Sequence, residues 1–432
     1  MARRKKVSLQ VFDSWIESSA ATPRVRLEEL WRFAEKSGRP IFRSRLLDWL
    51  ATNAEIVDSK LEGAGVVVRF PQEFSFIDSP DESLETLWEL VAAARAGAHR
   101  VSIDQSSCHS IDLCAASVLN VLAVDAKLRV KTSFEGRFPD GEEMRDIVLA
   151  TGLPRVLGLD LPVPENFKSF ELRKGGSPRH SLLKSTKKER VAAELTRYLA
   201  DIFSGKNFKL SRKGRRSLGN LVGEVLGNAE DHAGGQDWWV CAYLRQLPDK
   251  TWGDCHMTFF NFGPSLSDSL QGLEDPALRQ EAEELVRHHV LTDPKLSAEN
   301  VWSVLALQEG MTRFFEGDGP RRRGFGTADI ITAFQVLGGT TDPDAQPEMC
   351  LVSGRTHIRF DPKYLMAPQP GTGGSSRRII AFNHTNDIRI APDSKVVTPL
   401  VNRFPGTLLS LRFFVQKEYL ERLEVEYGSA DA

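Results

Sequence analysis

The chain has 432 residues, more than one ordinary domain holds, so two or three folding units are expected. Hydrophobic residues make up 41% and charged residues 26%, which supplies a core for each unit and excludes a chain that is disordered by composition. With 56 basic against 58 acidic residues the net charge is −2, which excludes a globally basic nucleic-acid coat and leaves room only for a local basic patch.

The five cysteines, at 108, 114, 241, 255 and 350, include no CxxC pair. Their scatter and odd number point to free thiols in a reducing cytosol, not to a disulfide scaffold or a structural zinc site. No apolar run approaches the roughly 20 residues needed to cross a bilayer. Met1-Ala-Arg-Arg-Lys-Lys6 is basic but leads into polar, periodic sequence without the apolar core of a signal peptide. A cytoplasmic protein is expected.

Residues 1–60 read as helices. Leu27, Leu30, Trp31 and Phe33 fall at helical spacing, as do Phe42, Leu46, Leu47 and Leu50, with Ser37-Gly38-Arg39-Pro40 breaking the two segments. Such a pair is a packing hairpin or a DNA-reading helix-turn-helix, and the hairpin is the more frequent use of the pattern. From residue 64 the period changes. Gly65 to Phe70 predicts a β-branched strand, and Leu84, Leu87, Leu90 and Val91 an amphipathic helix. Val101-Ser102-Ile103-Asp104 predicts a second strand, and Ala115 to Val124 a second helix. This alternation predicts a layered α/β domain over 61–170.

Residues 171–216 hold fourteen Lys and Arg against four acids and contain Gly175-Gly176-Ser177-Pro178, so they read as a basic linker and leading helix. The basic character is a solvated helix face or a contact with phosphates. Residues 217–416 predict one more unit. It starts with a helix (Leu218, Leu221, Val225, Leu226), followed by strands at 238–244 and 256–260 and a helical stretch to about 311. A Gly-rich loop, a helix from Thr327 to Leu337 and late strands at 379–382 and 408–414 complete it. Its two-layer α+β sandwich makes the chain an α/β multi-domain protein, and 417–432 form a tail.

Within the first helix of that unit, Glu224 and Asn228 are four apart and Asp231 follows three later, so all three share one face. A carboxylate beside an amide oxygen suits phosphate chemistry, the one orienting water and the other entering a Mg²⁺ shell. The pair resembles the N-box of the GHKL superfamily of ATP-binding domains, the histidine-kinase-like and gyrase-type fold. Further motifs stand in that family's order. Phe260-Asn261-Phe262-Gly263-Pro264-Ser265 lies about thirty residues on, at the end of a strand. Gly317 to Thr327 forms a Gly-rich box opening a helix, and Leu337-Gly338-Gly339 closes that helix. Pro405-Gly406-Thr407 precedes the last apolar strand.

The resemblance implies ATP and Mg²⁺ as ligands, Glu224 as general base and Asn228 as metal ligand. It also implies nucleotide contacts by Asp231, Asn261, Gly263, Arg323, Gly324, Phe325, Gly326, Thr327 and Thr407. The family's Asp at the adenine is Asn261 here, and Ser265 replaces a Gly. An amide has both acceptor and donors, so it could take an adenine N–H or give one to a guanine O6. The loop Asp104 to Ala115 is similar to that of STAS domains, in which a Ser after the second Asp is phosphorylated. Here Asp112 is followed by Leu113, so a protein-docking role is expected, unless Ser106, Ser107 or Ser110 is the acceptor. Three functions follow: a slow ATPase switch that acts through a protein partner or by forming a homodimer, a serine or histidine kinase, or a nucleotide-binding module without turnover.

Overall fold

The computed structural model describes residues 65–123, 132–157, 159–176, 187–205, 212–232, 237–247, 250–311, 326–337, 345–370, 376–418 and 421. The helices expected before residue 60 lie outside these. The chain divides into two compact units, Met1–Glu171 and Leu172–Ala432. The protein is of mixed α/β class, with both parallel and antiparallel sheets. Among the described residues no helix is long and apolar enough to cross a membrane.

The first unit begins with β1 (Gly65–Arg69), the short β2 (Glu73–Phe74), α1 (Pro80–Arg95), β3 (Arg100–Asp104), β4 (Ser110–Ile111) and α2 (Leu113–Ala123). It continues with β5 (Ser133–Arg137), α3 (Glu142–Thr151) and α4 (Leu153–Val156). β1, β3 and β5 form a parallel sheet in that order, the geometry expected of strand–helix–strand crossovers. α1 starts at a proline whose fixed φ suits the first helical turn, with Asp81 and Glu82 at the positive end of the dipole. Every residue of α2 is buried, so its apolar run carries no polar face.

β6 (Phe167–Gly176) crosses the Glu171–Leu172 division, and the second unit continues with α5 (Lys187–Gly205), α6 (Arg212–His232), β7 (Asp237–Gln246) and β8 (Gly253–Phe262). Next come α7 (Leu266–Leu270), α8 (Pro276–Thr292), α9 (Ala298–Leu305) and α10 (Gly326–Leu337). β9 (Glu348–Arg359), β10 (Ala367–Pro370), β11 (Ser376–Ile379) and β12 (Val397–Val415) follow. The main sheet has the order β6-β7-β8-β12-β9, and β7, β8, β12 and β9 pair antiparallel. Leu199 and Phe203 of α5, Leu221 and Val225 of α6 and Phe334 of α10 meet Met257, Phe259, Leu411 and Phe413 of the sheet. The period of two in the strands and of about 3.6 in the helices brings these apolar positions together.

Three expectations are corrected. Residues 171–176, read as the start of a linker, are the second half of β6. The Gly-Gly step is not a flexible joint, because a Cβ at Gly175 would lie 2.0 Å from the Trp238 ring. Residues 380–382 are not strand, since β11 ends at Ile379 and Phe382 sits at φ 53°, outside the extended region. The helical stretch before 311 is three helices, restarted by N-caps at Asp275 and Ser297.

At the lower end of the main sheet lies a charged cluster. Asp254 is fully buried and accepts from Arg245 Nη2 at 3.0 Å and from Arg412 Nε at 3.1 Å. It also meets His256 Nε2 at 3.0 Å and accepts from Arg412 Nη2 at 3.3 Å. Burial pushes this carboxyl up, but His256 and Arg412 outweigh burial and hold it well below the usual carboxylate range.

Candidate functional site

A small cleft of about 80 Å³ opens between α6, α10 and strands β8, β9 and β12. Its walls are mostly apolar, with Val225, Ile331, Met349, Leu351 and Leu409 among them. Four polar side chains enter it: Asn228, Asn261, Thr327 and Thr407. They come from four separate segments, and the fold brings them together as follows.

Asn228 lies on α6, one turn beyond Val225, and its Nδ2 is 3.5 Å from Thr327 Oγ1 at the start of α10. α10 is held by Arg378 on β11, whose guanidinium donates to Asp329 Oδ1 at 2.6 Å and to Glu309 Oε2 at 3.0 Å. Asn261 is the penultimate residue of β8 and only 3% exposed. Its Nδ2 donates to the Ala229 carbonyl at 3.2 Å, and its Oδ1 accepts from the Thr407 backbone N–H at 3.3 Å. Register pairs Thr407 with Asn261 on one side and with Ser353 on the other. Gly406 permits this approach, because a Cβ there would lie 2.0 Å from the Asn261 carbonyl oxygen. The Thr407 hydroxyl is 2.8 Å from Ser353 Oγ, which also accepts from Leu266 N–H at 2.8 Å.

The segment after β8 is rigidly built. Gly263 N–H donates to Pro405 O at 2.9 Å. Ser265 caps α7 in a reciprocal capping box with Asp268. Arg403 binds Asp268 Oδ2 at 2.5 Å and Glu299 Oε1 at 2.9 Å, joining β12 to α7 and α9. Glu299 Oε1 also takes the Arg355 N–H at 2.9 Å and lies where a Cβ at Gly354 (φ +60°) would clash.

The sequence candidates therefore separate into groups. Asn228, Asn261, Thr327 and Thr407 line one cleft, whereas Gly263 does not. Glu224 is exposed on α6, does not line the cleft and forms no hydrogen bond or ion pair among the described residues. Gly326 is the first residue of α10. Arg323, Gly324 and Phe325, and the side chain of Asp231, lie outside the described residues. Sequence reasoning missed Ser353, Arg378 and Arg403. Only the break Ser353-Gly354-Arg355 inside an otherwise apolar run hinted at the first. Among the described residues no cluster of three or more His, Cys, Asp or Glu could cage a metal ion.

In the first unit, Asp112 is a structural carboxylate. It accepts from Ser75 Oγ at 2.9 Å, from the N–H groups of Phe76 at 2.5 Å and Ile77 at 3.2 Å, and from Ala115 N–H at 2.6 Å as it caps α2. Complete burial still pushes its carboxyl up against these donors. Leu113 beside it is 2% exposed, and Ser107 is exposed with its hydroxyl donating to Phe70 O at 3.2 Å. No family model, no curated protein and no solved structure matches the chain.

Proposed function

We propose that the second unit is a GHKL-type ATP-binding domain whose nucleotide state switches partner binding or self-association, and that it hydrolyses ATP slowly. One observation carries this reading: residues of four separate motifs, Asn228, Asn261, Thr327 and Thr407, line a single apolar cleft. A flat base suits the apolar walls, and the polar groups suit its edge and the phosphates. α10 begins at Gly326, so its dipole favours an anion beside Thr327.

Magnesium fits the residues present. Asn228 spends its Nδ2 on Thr327, which leaves the hard Oδ1 as a ligand, and Mg²⁺ is commonly held by one or two protein oxygens plus substrate phosphates. When bound, the ion would neutralise phosphate charge. The first unit would act as a STAS-like docking module, because Leu113 is buried and has no hydroxyl to phosphorylate.

The test is calorimetry of the whole chain with Mg²⁺ and a non-hydrolysable ATP analogue. Asn228→Ala should abolish the binding, and unchanged affinity would reject the site. A second reading, binding without turnover, is favoured by Glu224, which stands exposed outside the cleft lining. Absence of phosphate release from the wild-type protein, with or without the first unit's partner, would select it.

A further inference from the structure

The hydrogen bonds around the base-reading groups bear on which base the cleft takes. Asn261 is held by two backbone groups of fixed polarity: the Ala229 carbonyl accepts from its Nδ2, and the Thr407 N–H donates to its Oδ1. Turning the amide over would set donor against donor and acceptor against acceptor, so its orientation is determined. These two bonds leave one lone pair on Oδ1 and one N–H on Nδ2. A carboxylate in the same place would offer acceptors alone.

Thr407 is similarly two-sided. Its hydroxyl meets Ser353 Oγ at 2.8 Å, and Ser353 has a second acceptor within reach, the Gly406 carbonyl at 3.3 Å. Ser353 Oγ already accepts from Leu266 N–H, which leaves its own proton two destinations. If that proton goes to Gly406, Thr407 donates to Ser353 and keeps lone pairs for a ligand N–H. If it goes to Thr407, the Thr407 proton is released for a ring nitrogen. Both groups that reach the polar edge of a base can therefore act as donor or as acceptor.

We propose that the cleft accepts 6-oxopurine as well as 6-aminopurine nucleoside triphosphates, with Asn261 and the Ser353–Thr407 pair setting this tolerance. The inference rests on the nucleotide reading above and goes beyond its restriction to ATP. A 6-amino group would give an N–H to Asn261 Oδ1, and the adjacent ring nitrogen would accept from Thr407. A 6-oxo group would accept from Asn261 Nδ2, and the ring N–H would donate to Thr407. A site able to present only one polarity would reject the opposite edge strongly, because its buried groups would be left unpaired.

Calorimetry of the full chain with Mg²⁺ and the non-hydrolysable analogues of ATP, GTP and ITP tests this. The ITP analogue carries the 6-oxo edge without the 2-amino group. The ATP and ITP analogues should bind within about tenfold of each other, as expected where each edge keeps its hydrogen bonds. An ITP analogue bound more than about 100-fold more weakly than the ATP analogue would overturn the proposal while leaving ATP binding intact. Failure of all three to bind would overturn the nucleotide reading itself. Asn261→Asp should weaken the two 6-oxopurine analogues at least tenfold more than the ATP analogue, and an equal loss for all three would remove Asn261 from the role. Should that variant not fold, Thr407→Val should weaken the ATP and ITP analogues by similar factors, roughly 3- to 10-fold each. Unchanged affinities in Thr407→Val would remove Thr407 from the role.

Discussion

β8 carries two polar residues with opposite fates. Near its start, Asp254 is a full charge, completely buried and saturated by Arg245, Arg412 and His256. Near its end, Asn261 is neutral and as deeply buried, yet its two backbone bonds leave a donor and an acceptor over, and it lines a cleft. A buried charge that is fully partnered has nothing to offer a ligand, and its work is to hold three strands, β7, β8 and β12, in register. A neutral group with valences to spare costs less to bury than a charge and can still bind. Saturation, and not polarity or burial alone, separates the structural residue from the candidate binding residue.

The comparison can be broken most directly at Asp254. Asp254→Asn keeps the shape and removes the charge facing the buried Arg245, while Arg412 keeps its pairing with Glu348, at a cost of about 3–5 kcal/mol. Denaturant unfolding measures it, and a loss below about 1 kcal/mol would mean that the cluster does not depend on its charge. Gly406→Ala strikes the other end. The new Cβ would meet the Asn261 carbonyl oxygen, so β12 must shift at about 1–3 kcal/mol, and affinity for the ATP analogue should fall with it. Wild-type affinity in that variant would show that the approach of Gly406 to Asn261 does not shape the cleft.

Acid sharpens the contrast. The native pKa of Asp254 is depressed below the unfolded value of about 3.9, so its stabilisation is complete above that value. It is lost as pH falls below it, at up to about 1.4 kcal/mol per pH unit. Asn261 has no proton to take up. Unfolding of wild type and Asp254→Asn between pH 5 and pH 3 should therefore converge, and parallel curves would contradict the assignment. The smallest effect on stability is expected at Glu224, which is exposed: Glu224→Ala should stay within about 0.5 kcal/mol of wild type. If Glu224 is the base for hydrolysis, the same variant loses on the order of 10² to 10⁴ in rate while still binding nucleotide. Retained turnover would place the base elsewhere.

Much of the first unit was legible because its elements follow simple periods. Val66 to Val68 and Val101 to Ile103 read as strands, and Leu84, Leu87 and Val91 read as one helix face. In the second unit β7 and β8 were legible from long apolar runs. β6 was not, because Lys168, Glu171, Arg173 and Lys174 alternate with its few apolar residues and its glycines suggested a joint. β9 was not, because Ser353-Gly354-Arg355 interrupts its apolar run, opposite the bulge in β12. Local patterns named Asn228, Asn261 and Thr407. They could not supply Ser353, whose tie to Thr407 spans 54 residues and exists only through strand register. Nor could spacing alone show that Glu224, on the same helix as Asn228, stands outside the cleft lining.

The strand order has a consequence for how the molecule is made. β12 lies between β8 and β9 in the sheet, yet it follows every other described strand in the chain. While the ribosome is still translating residues before 397, β8 and β9 each present an unpaired edge, and such edges pair readily with other chains. The sheet closes, and Thr407 meets Asn261, only after that final strand has emerged, so the cleft is completed after synthesis of this region and not during it.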